Sequence, residues 1–282
     1  MSHLQNSPLS IKAIFTNFSS KILIYGNKRL DLYKKTINMS ATTLSAPIVE
    51  KKLRLRRQPL LPLTLEERLD IEKRELRVPA TLDEYFALVQ DIDYSIHYRQ
   101  GHIISFVEFD EQTNLPMGQA APLHERLMLL IGHLISTVLN IPKSEYQGYG
   151  SNIKIYVEGA VSAYNPDIAF TKGDAIVKKI IPKGRKISTK VLMNSCILVE
   201  ILSKSTKKFD LNEKWLDYQK IESLQQMIFV EQESINVKTY IRQIDNSWFP
   251  IELKDIKDEL PIFEHPETIP LSDIYPANVL KR

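Results

Sequence analysis

A mixed α/β domain, with helices packed on a sheet around residues 121–232, is what this sequence predicts. Three observations lead there. "APLHERLMLLIGHLISTVLN" carries the apolar period of an amphipathic helix. Several strand-like runs follow it. A second helix signal, "FDLNEKWLDYQK", then separates the apolar runs "CILVEILS" and "QQMIFVEQE". Strand, helix, strand in that order calls for a crossover connection, which favours a mixed sheet.

Composition sets the outer limits. A chain of 282 residues, 43% hydrophobic and 25% charged, has room for one large packed domain with appendages. A formal net charge of +3 permits a nucleic-acid partner without arguing for one. Cys196 is the only cysteine, which excludes an intrachain disulfide and a cysteine-rich zinc site. Its apolar flanks read as those of a small buried hydrophobe, and a reducing, cytoplasmic setting is expected. No apolar run reaches the roughly 18 residues of a membrane span, so no membrane association is expected. "FTNFSSKILIYG" is too interrupted for a signal-peptide core.

Residues 1–60 are expected to form a poorly ordered extension, with the folded domain over 61–282. No acidic residue occurs before Leu30, no period is sustained, and "KKLRLRRQP" is a basic run. Met39 is an alternative start. Beyond the extension, "TLEERLDIEK" and "TLDEYFALVQD" each place Glu three residues after Thr, the capping-box signature of a helix start. "YSIHYRQGHIISFVEF" reads as a hairpin turning at Gly101. In the long amphipathic helix, Leu123, Leu127, Leu130, Ile131, Leu134 and Val138 form the stripe. "NIKIYVEGA" and "NPDIAFTKG" read as strands, and "VKKIIPKGRKISTK" as a lysine-rich loop. Asp210 is expected to cap the second helix, whose apolar stripe is Leu211, Trp215 and Tyr218. "QQMIFVEQE", "NVKTYIRQ" and "SWFPIEL" close the domain as strands.

Two carboxylates stand where solubility does not require them. Asp167 follows Pro166 at the start of "DIAF", and Glu200 lies inside "CILVEILS". Brought together on neighbouring strands they would form an oxygen-rich site suited to Mg²⁺ or Mn²⁺, whose charge offsets the desolvation of a buried Glu. A strand-end Asp in a turn and a Glu bridged to a lysine is the alternative reading of the same pattern.

"NPDIAF", the segment "ILVEILSKSTKKFDLNEKWLDYQK" and the closing "LPIFEHPETIPLSDIY" together resemble the Uma-two family of restriction-endonuclease-like proteins, within the PD-(D/E)XK nuclease superfamily. The resemblance covers roughly residues 80–276. It implies a restriction-endonuclease-like mixed sheet core flanked by helices, with extra N-terminal helices and a hairpin. It also implies metal-dependent DNA cleavage, with Asp167 and Glu200 as metal ligands and the Ile201 carbonyl as a third protein oxygen. Where the superfamily carries an E-x-K lysine, this chain has Leu202, as the family does. Lys214, in the following helix on a face with Asp210 and Tyr218, is the expected replacement, ahead of Lys204; an ordinary i, i+4 pair with Asp210 is the other reading. His124 resembles the family's histidine at the helix start, while the acid that the family places before the hairpin glycine is missing from "HYRQG". Glu125 is the candidate substitute. Lys178, Lys179, Lys183, Arg185 and Lys186 form a basic segment able to meet DNA phosphates. A homodimer is expected, because cutting both strands needs two sites. The competing class is a nuclease-fold nucleic-acid-binding or regulatory protein without turnover.

Overall fold

The structure, a computed structural model, describes residues 59–109, 116–117 and 122–277. The expected extension and Met39 fall almost wholly outside these residues. Helix α1 (Leu65–Leu69) and helix α2 (Leu82–Leu88) begin at Thr64 and Thr81 with complete capping boxes. In each, the Thr hydroxyl accepts the backbone N–H of the Glu three residues on, and the Glu carboxylate accepts the Thr N–H. Helix α1 is only five residues long. Its Arg68 is wholly buried, donating to Ser105 Oγ at 2.5 Å and to the Lys73 carbonyl at 2.9 Å. The rest of that segment forms strand β1 (Glu75–Pro79), which the capping signature does not foretell.

Strands β2 (His97–Arg99) and β3 (His102–Phe106) form the expected hairpin. Its two turn residues, Gln100 and Gly101, both have positive φ, 45° and 87°, as the right-handed strand twist favours in a two-residue turn. Short strands β4 (Glu108–Phe109) and β5 (Pro116–Met117) pair next. Helix α3 (Pro122–Val138) follows, burying Leu127, Ile131, Ile135 and Val138. Four further strands are β6 (Tyr146–Gly150), β7 (Lys154–Val157), β8 (Ser162–Tyr164) and β9 (Ile168–Lys172). The lysine-rich segment is a hairpin and not simply a loop: β10 (Val177–Ile180) pairs antiparallel with β11 (Thr189–Leu192). Strand β12 (Ser195–Leu202) carries Glu200 and is buried along its whole length. A helical stretch over residues 207–218, here α4, then leads to β13 (Gln226–Glu231), β14 (Val237–Arg242) and β15 (Trp248–Leu253). A small hairpin of β16 (Glu259–Pro261) and β17 (Thr268–Pro270) precedes α5 (Leu271–Ile274).

Two large sheets result. One has the order β1-β3-β2-β8-β7-β11-β10, the other β15-β14-β13-β12-β9-β6. Strands β12 and β13 are parallel and joined through α4, while β9 and β14 pair antiparallel with them, so the second sheet is mixed as expected. Alternation along β12 divides its side chains between two cores. Val199 and Ile201 pack with α3, the β16–β17 hairpin and α5. Leu198 and Leu202 pack on the opposite face with α4 and with Ile104, Ile155 and Leu192 of the first sheet. Glu200 lies between Leu198 and Leu202 in that alternation, so it points into the second core.

Candidate active site

The site begins with a ladder that runs out. Strand β12 pairs antiparallel with β9 as far as Val199 opposite Ile168. Continuing that register by one step brings Asp167, just before β9, level with Glu200. Asp167 sits just before β9, in a turn held by Asn165, whose side chain donates to the Ser151 carbonyl at 2.9 Å and accepts from Lys154 Nζ at 2.6 Å. Where β9 no longer supplies a carbonyl, Asp167 Oδ2 accepts the Ile201 N–H at 2.6 Å. The Ile201 carbonyl points to the same side as its N–H, towards Asp167, because the two groups of one strand residue are directed alike. Asp167 Oδ1 lies 3.1 Å from His124 Nε2, at the start of α3.

Helix α4 supplies the other side. It is α-helical over Lys207–Phe209, π-helical over Asp210–Lys214 and α-helical again over Trp215–Tyr218. Asp210 therefore lies inside the helix and does not cap it; Thr206 holds the cap position, and Asp210 is only 2% exposed. An Asp with Glu three residues later imitates a helix start wherever it occurs, which is why the sequence misplaces it. Lys214 is 4% exposed and donates to both Glu200 oxygens at 3.1 Å, while sitting 2.9 Å from Asp210 Oδ1. At that distance the ammonium is the charge partner of the buried Asp210 oxygen. Tyr218 donates its hydroxyl to Glu200 Oε1 at 2.9 Å. The alternative reading of each residue is therefore what these contacts display: Glu200 is bridged to a lysine, and Lys214 pairs with Asp210 four residues before it.

Charge at this centre is unbalanced. Burial pushes the Glu200 carboxyl well above the usual carboxylate range; Lys214 opposes that, and Asp210 and Asp167 add to it. Asp210 is raised for the same leading reason. Burial acts to lower Lys214, but Asp210, Glu200 and Asp167 outweigh it and hold the ammonium protonated more firmly than usual. Two buried acids, Glu200 and Asp210, share one lysine, while Asp167 pairs with His124. Two buried carboxylates beside one ammonium leave more acid than base at this centre. Among the described residues no three His, Cys, Asp or Glu side chains gather into a metal-binding group. The residues that could hold a cation are Asp167, Glu200 and the Ile201 carbonyl, an oxygen-only set of the kind Mg²⁺ takes while keeping several waters.

Other expected residues are placed less closely. Glu125 is exposed beside His124. Lys204 pairs with Glu233 at 3.3 Å. Lys178 is tied to Glu158 and Arg185 to Asp91, whereas Lys179, Lys183 and Lys186 are exposed. Cys196 is a buried thiol pushed up to about 12 by burial.

A charged clamp behind the site escapes the sequence reading. Asp217 is 1% exposed, accepting from Tyr164 Oη at 2.5 Å and from Arg99 Nε at 3.0 Å. Glu213 accepts from Arg99 and from both terminal nitrogens of Arg77. These contacts fasten α4 to β1 and β2. A helical wheel puts Asp217 beside Lys214 and Tyr218 on the buried face, the one signal available beforehand.

The comparisons with known proteins define the class of protein at the level of family. The chain belongs to the Uma-two family, described as "Putative restriction endonuclease", whose pattern matches residues 82–279. An uncharacterized protein of Synechocystis sp., sll1609, is 26% identical over 146 residues, covering 52% of this chain and 77% of that protein. A crystal structure of a putative nuclease of the DUF820 group from Anabaena variabilis superposes with a TM-score of 0.48 at 15% identity, covering 78% of this chain and all of that one.

Proposed function

We propose that this protein is a Mg²⁺- or Mn²⁺-dependent endonuclease that hydrolyses DNA phosphodiester bonds at Asp167, Glu200 and Lys214. Family membership supports the class of reaction. One observation supports this reading: Asp167 stands one step beyond the β9–β12 ladder, level with Glu200, and the Lys214 ammonium lies against Glu200 and Asp210.

A bound divalent cation would be held by Asp167, Glu200 and the Ile201 carbonyl, and would acidify a water and offset charge on the scissile phosphate. The chain's own groups do the rest. The Ile201 N–H and His124 fix both oxygens of Asp167, so that carboxylate is oriented before substrate arrives. Tyr218 fixes Glu200 in the same way. Lys214 keeps its proton and places a positive charge beside the phosphate, where negative charge grows in the transition state. A homodimer in the cytoplasm would bring two such sites to the two strands of a duplex. No helix among the described residues is long and apolar enough to cross a membrane.

The second reading, a nucleic-acid-binding protein without turnover, draws on one observation. Lys214 already occupies both Glu200 oxygens, so the centre is partly satisfied by the protein itself. Supercoiled plasmid incubated with Mg²⁺, Mn²⁺ or EDTA separates the two. Nicking or linearisation with either metal and none in EDTA supports the nuclease; intact plasmid retained by the protein under every condition supports the binding protein.

A further inference from the structure

We infer that the β10–β11 hairpin is a rigid arm that grips a DNA duplex, with Lys179 and Lys190 seating a backbone phosphate and Ile181 and Ile187 pressing into the adjoining groove. The inference rests on the reading of DNA as substrate and adds where and how the duplex is held.

Residues 176–190 hold six lysines and arginines and no acidic residue. The fold treats those cations unequally. Lys178 is neutralised by Glu158 at 2.6 Å, and Arg185 by Asp91. Lys179 and Lys190 stand directly opposite each other in the ladder, and both are exposed. Among the described residues neither side chain has an acidic partner. Like charges facing each other across a strand pair repel and weaken it. A fold that supplies counter-charges to Lys178 and Arg185 but leaves this facing pair bare, along with Lys183 and Lys186 in the loop, fits a partner that brings the anion. Backbone phosphate is such a partner.

The apolar residues supply the second observation. Ile181 is 61% exposed and Ile187 is 69% exposed, at the tip beyond the lysine pair. Proteins that seize the minor groove combine cations with isolated apolar side chains that press against base steps. A bilayer surface would also accept cations and apolar groups, but it is engaged by a broad amphipathic face, and the exposed apolar side chains here are split between the tip, with Ile181 and Ile187, and the base of the hairpin, with Ile176 and Val177.

The tip is held in place. A turn is closed by the Arg185 N–H to the Pro182 carbonyl at 3.0 Å, with Gly184 at φ 79°. The Lys183 N–H donates to Asp83 Oδ1 at 2.9 Å, and Gln90 Nε2 donates to the Ile187 carbonyl at 2.9 Å. The loop backbone is therefore fastened to α2 and the residues after it, while the isoleucine side chains stay outside. Little ordering remains to be done on binding.

The test measures binding of a fluorescent duplex by the full chain in EDTA over a range of salt concentrations. Replacing both lysines, Lys179→Gln with Lys190→Gln, is expected to weaken binding at least tenfold at low salt. It should also reduce the slope of log affinity against log salt by about 1–2, since each phosphate contact contributes about 0.9. The same variant should melt at a higher temperature than the parent, because the repulsion is gone, a gain that loss of folding could not produce. Ile181→Ser with Ile187→Ser should weaken binding several-fold and leave the salt slope unchanged. Lys143→Gln with Lys257→Gln, a matched change elsewhere on the surface, should alter neither. Equal affinity and slope for the parent and the Lys179/Lys190 variant would overturn the arm while leaving the nuclease reading intact. Binding to anionic phosphatidylserine vesicles in place of DNA, abolished by these substitutions, would also overturn the arm, and the plasmid assay would then decide the nuclease reading separately. A parent that neither binds nor cuts DNA would overturn both.

Discussion

Glu200 stays buried because its surroundings hold it, and Lys214 does most of that work. Removing one member of a buried ion pair leaves the other charged and unsolvated, which costs about 3–5 kcal/mol. Lys214→Met would leave Glu200 and Asp210 both without their cation. In urea denaturation without metal we expect a loss of about 3 kcal/mol or more, with part recovered on adding Mn²⁺, since a divalent cation replaces the missing charge. Equal loss with and without Mn²⁺ would argue against a cation site at these carboxylates. His97 gives a separate prediction at the same scale. Buried among Phe106, Tyr164 and Phe209, it is held well below the ordinary 6.5, by burial first and then by the charges of Lys214 and Lys154. As pH falls below about 6.5, the unfolded chain takes up a proton that the folded chain refuses. Stability is therefore complete above that pH and declines below it, towards the lowered folded value, by up to about 1.4 kcal/mol per pH unit from this residue. His97→Phe should shrink the difference in unfolding free energy between pH 7 and pH 5; an unchanged difference would refute the assignment.

At the scale of elements, α4 both makes the site and shows the limit of reading sequence. The helix itself was legible from the spacing of Leu211, Trp215 and Tyr218, and the buried strand from its continuous apolar run. Its π-turn was not, because one extra residue per turn leaves no compositional trace, and such turns recur at functional sites. Strand β1 was hidden for a different reason: "ELRVP" alternates in burial yet follows directly on helix-forming residues. The clamp of Arg77, Arg99 and Tyr164 on Glu213 and Asp217 joins residues far apart in sequence, which no local pattern reveals. Its mechanical role can be measured. Tyr164→Phe should cost about 1–2 kcal/mol by leaving buried Asp217 short of a donor, and Arg99→Met more. Because both act on one carboxylate, the double variant should lose less than the sum in a double-mutant cycle. Strict additivity would mean that the two contacts work independently.

Across the whole molecule, the order of elements carried most of the fold. The crossover through α4 and the mixed second sheet followed from strand, helix, strand. That the hairpin, the short β8 and the basic segment would join into a separate seven-stranded sheet did not, since pairing partners are chosen by packing and not by local composition. Asp167 and Glu200 stood out in the sequence because an acid in a buried strand needs a partner; Glu200 finds Lys214 and Tyr218, and Asp167 finds the Ile201 N–H and His124. Whether that pair cuts DNA is the central claim, and the most direct measurement compares plasmid cleavage and DNA affinity for the parent, Asp167→Ala and Glu200→Ala in Mg²⁺ and Mn²⁺. Either substitution removes negative charge near the phosphates, so affinity at low salt should be equal or higher while cleavage falls by at least a hundredfold. A Glu200→Ala variant that cuts at the parental rate would contradict the account.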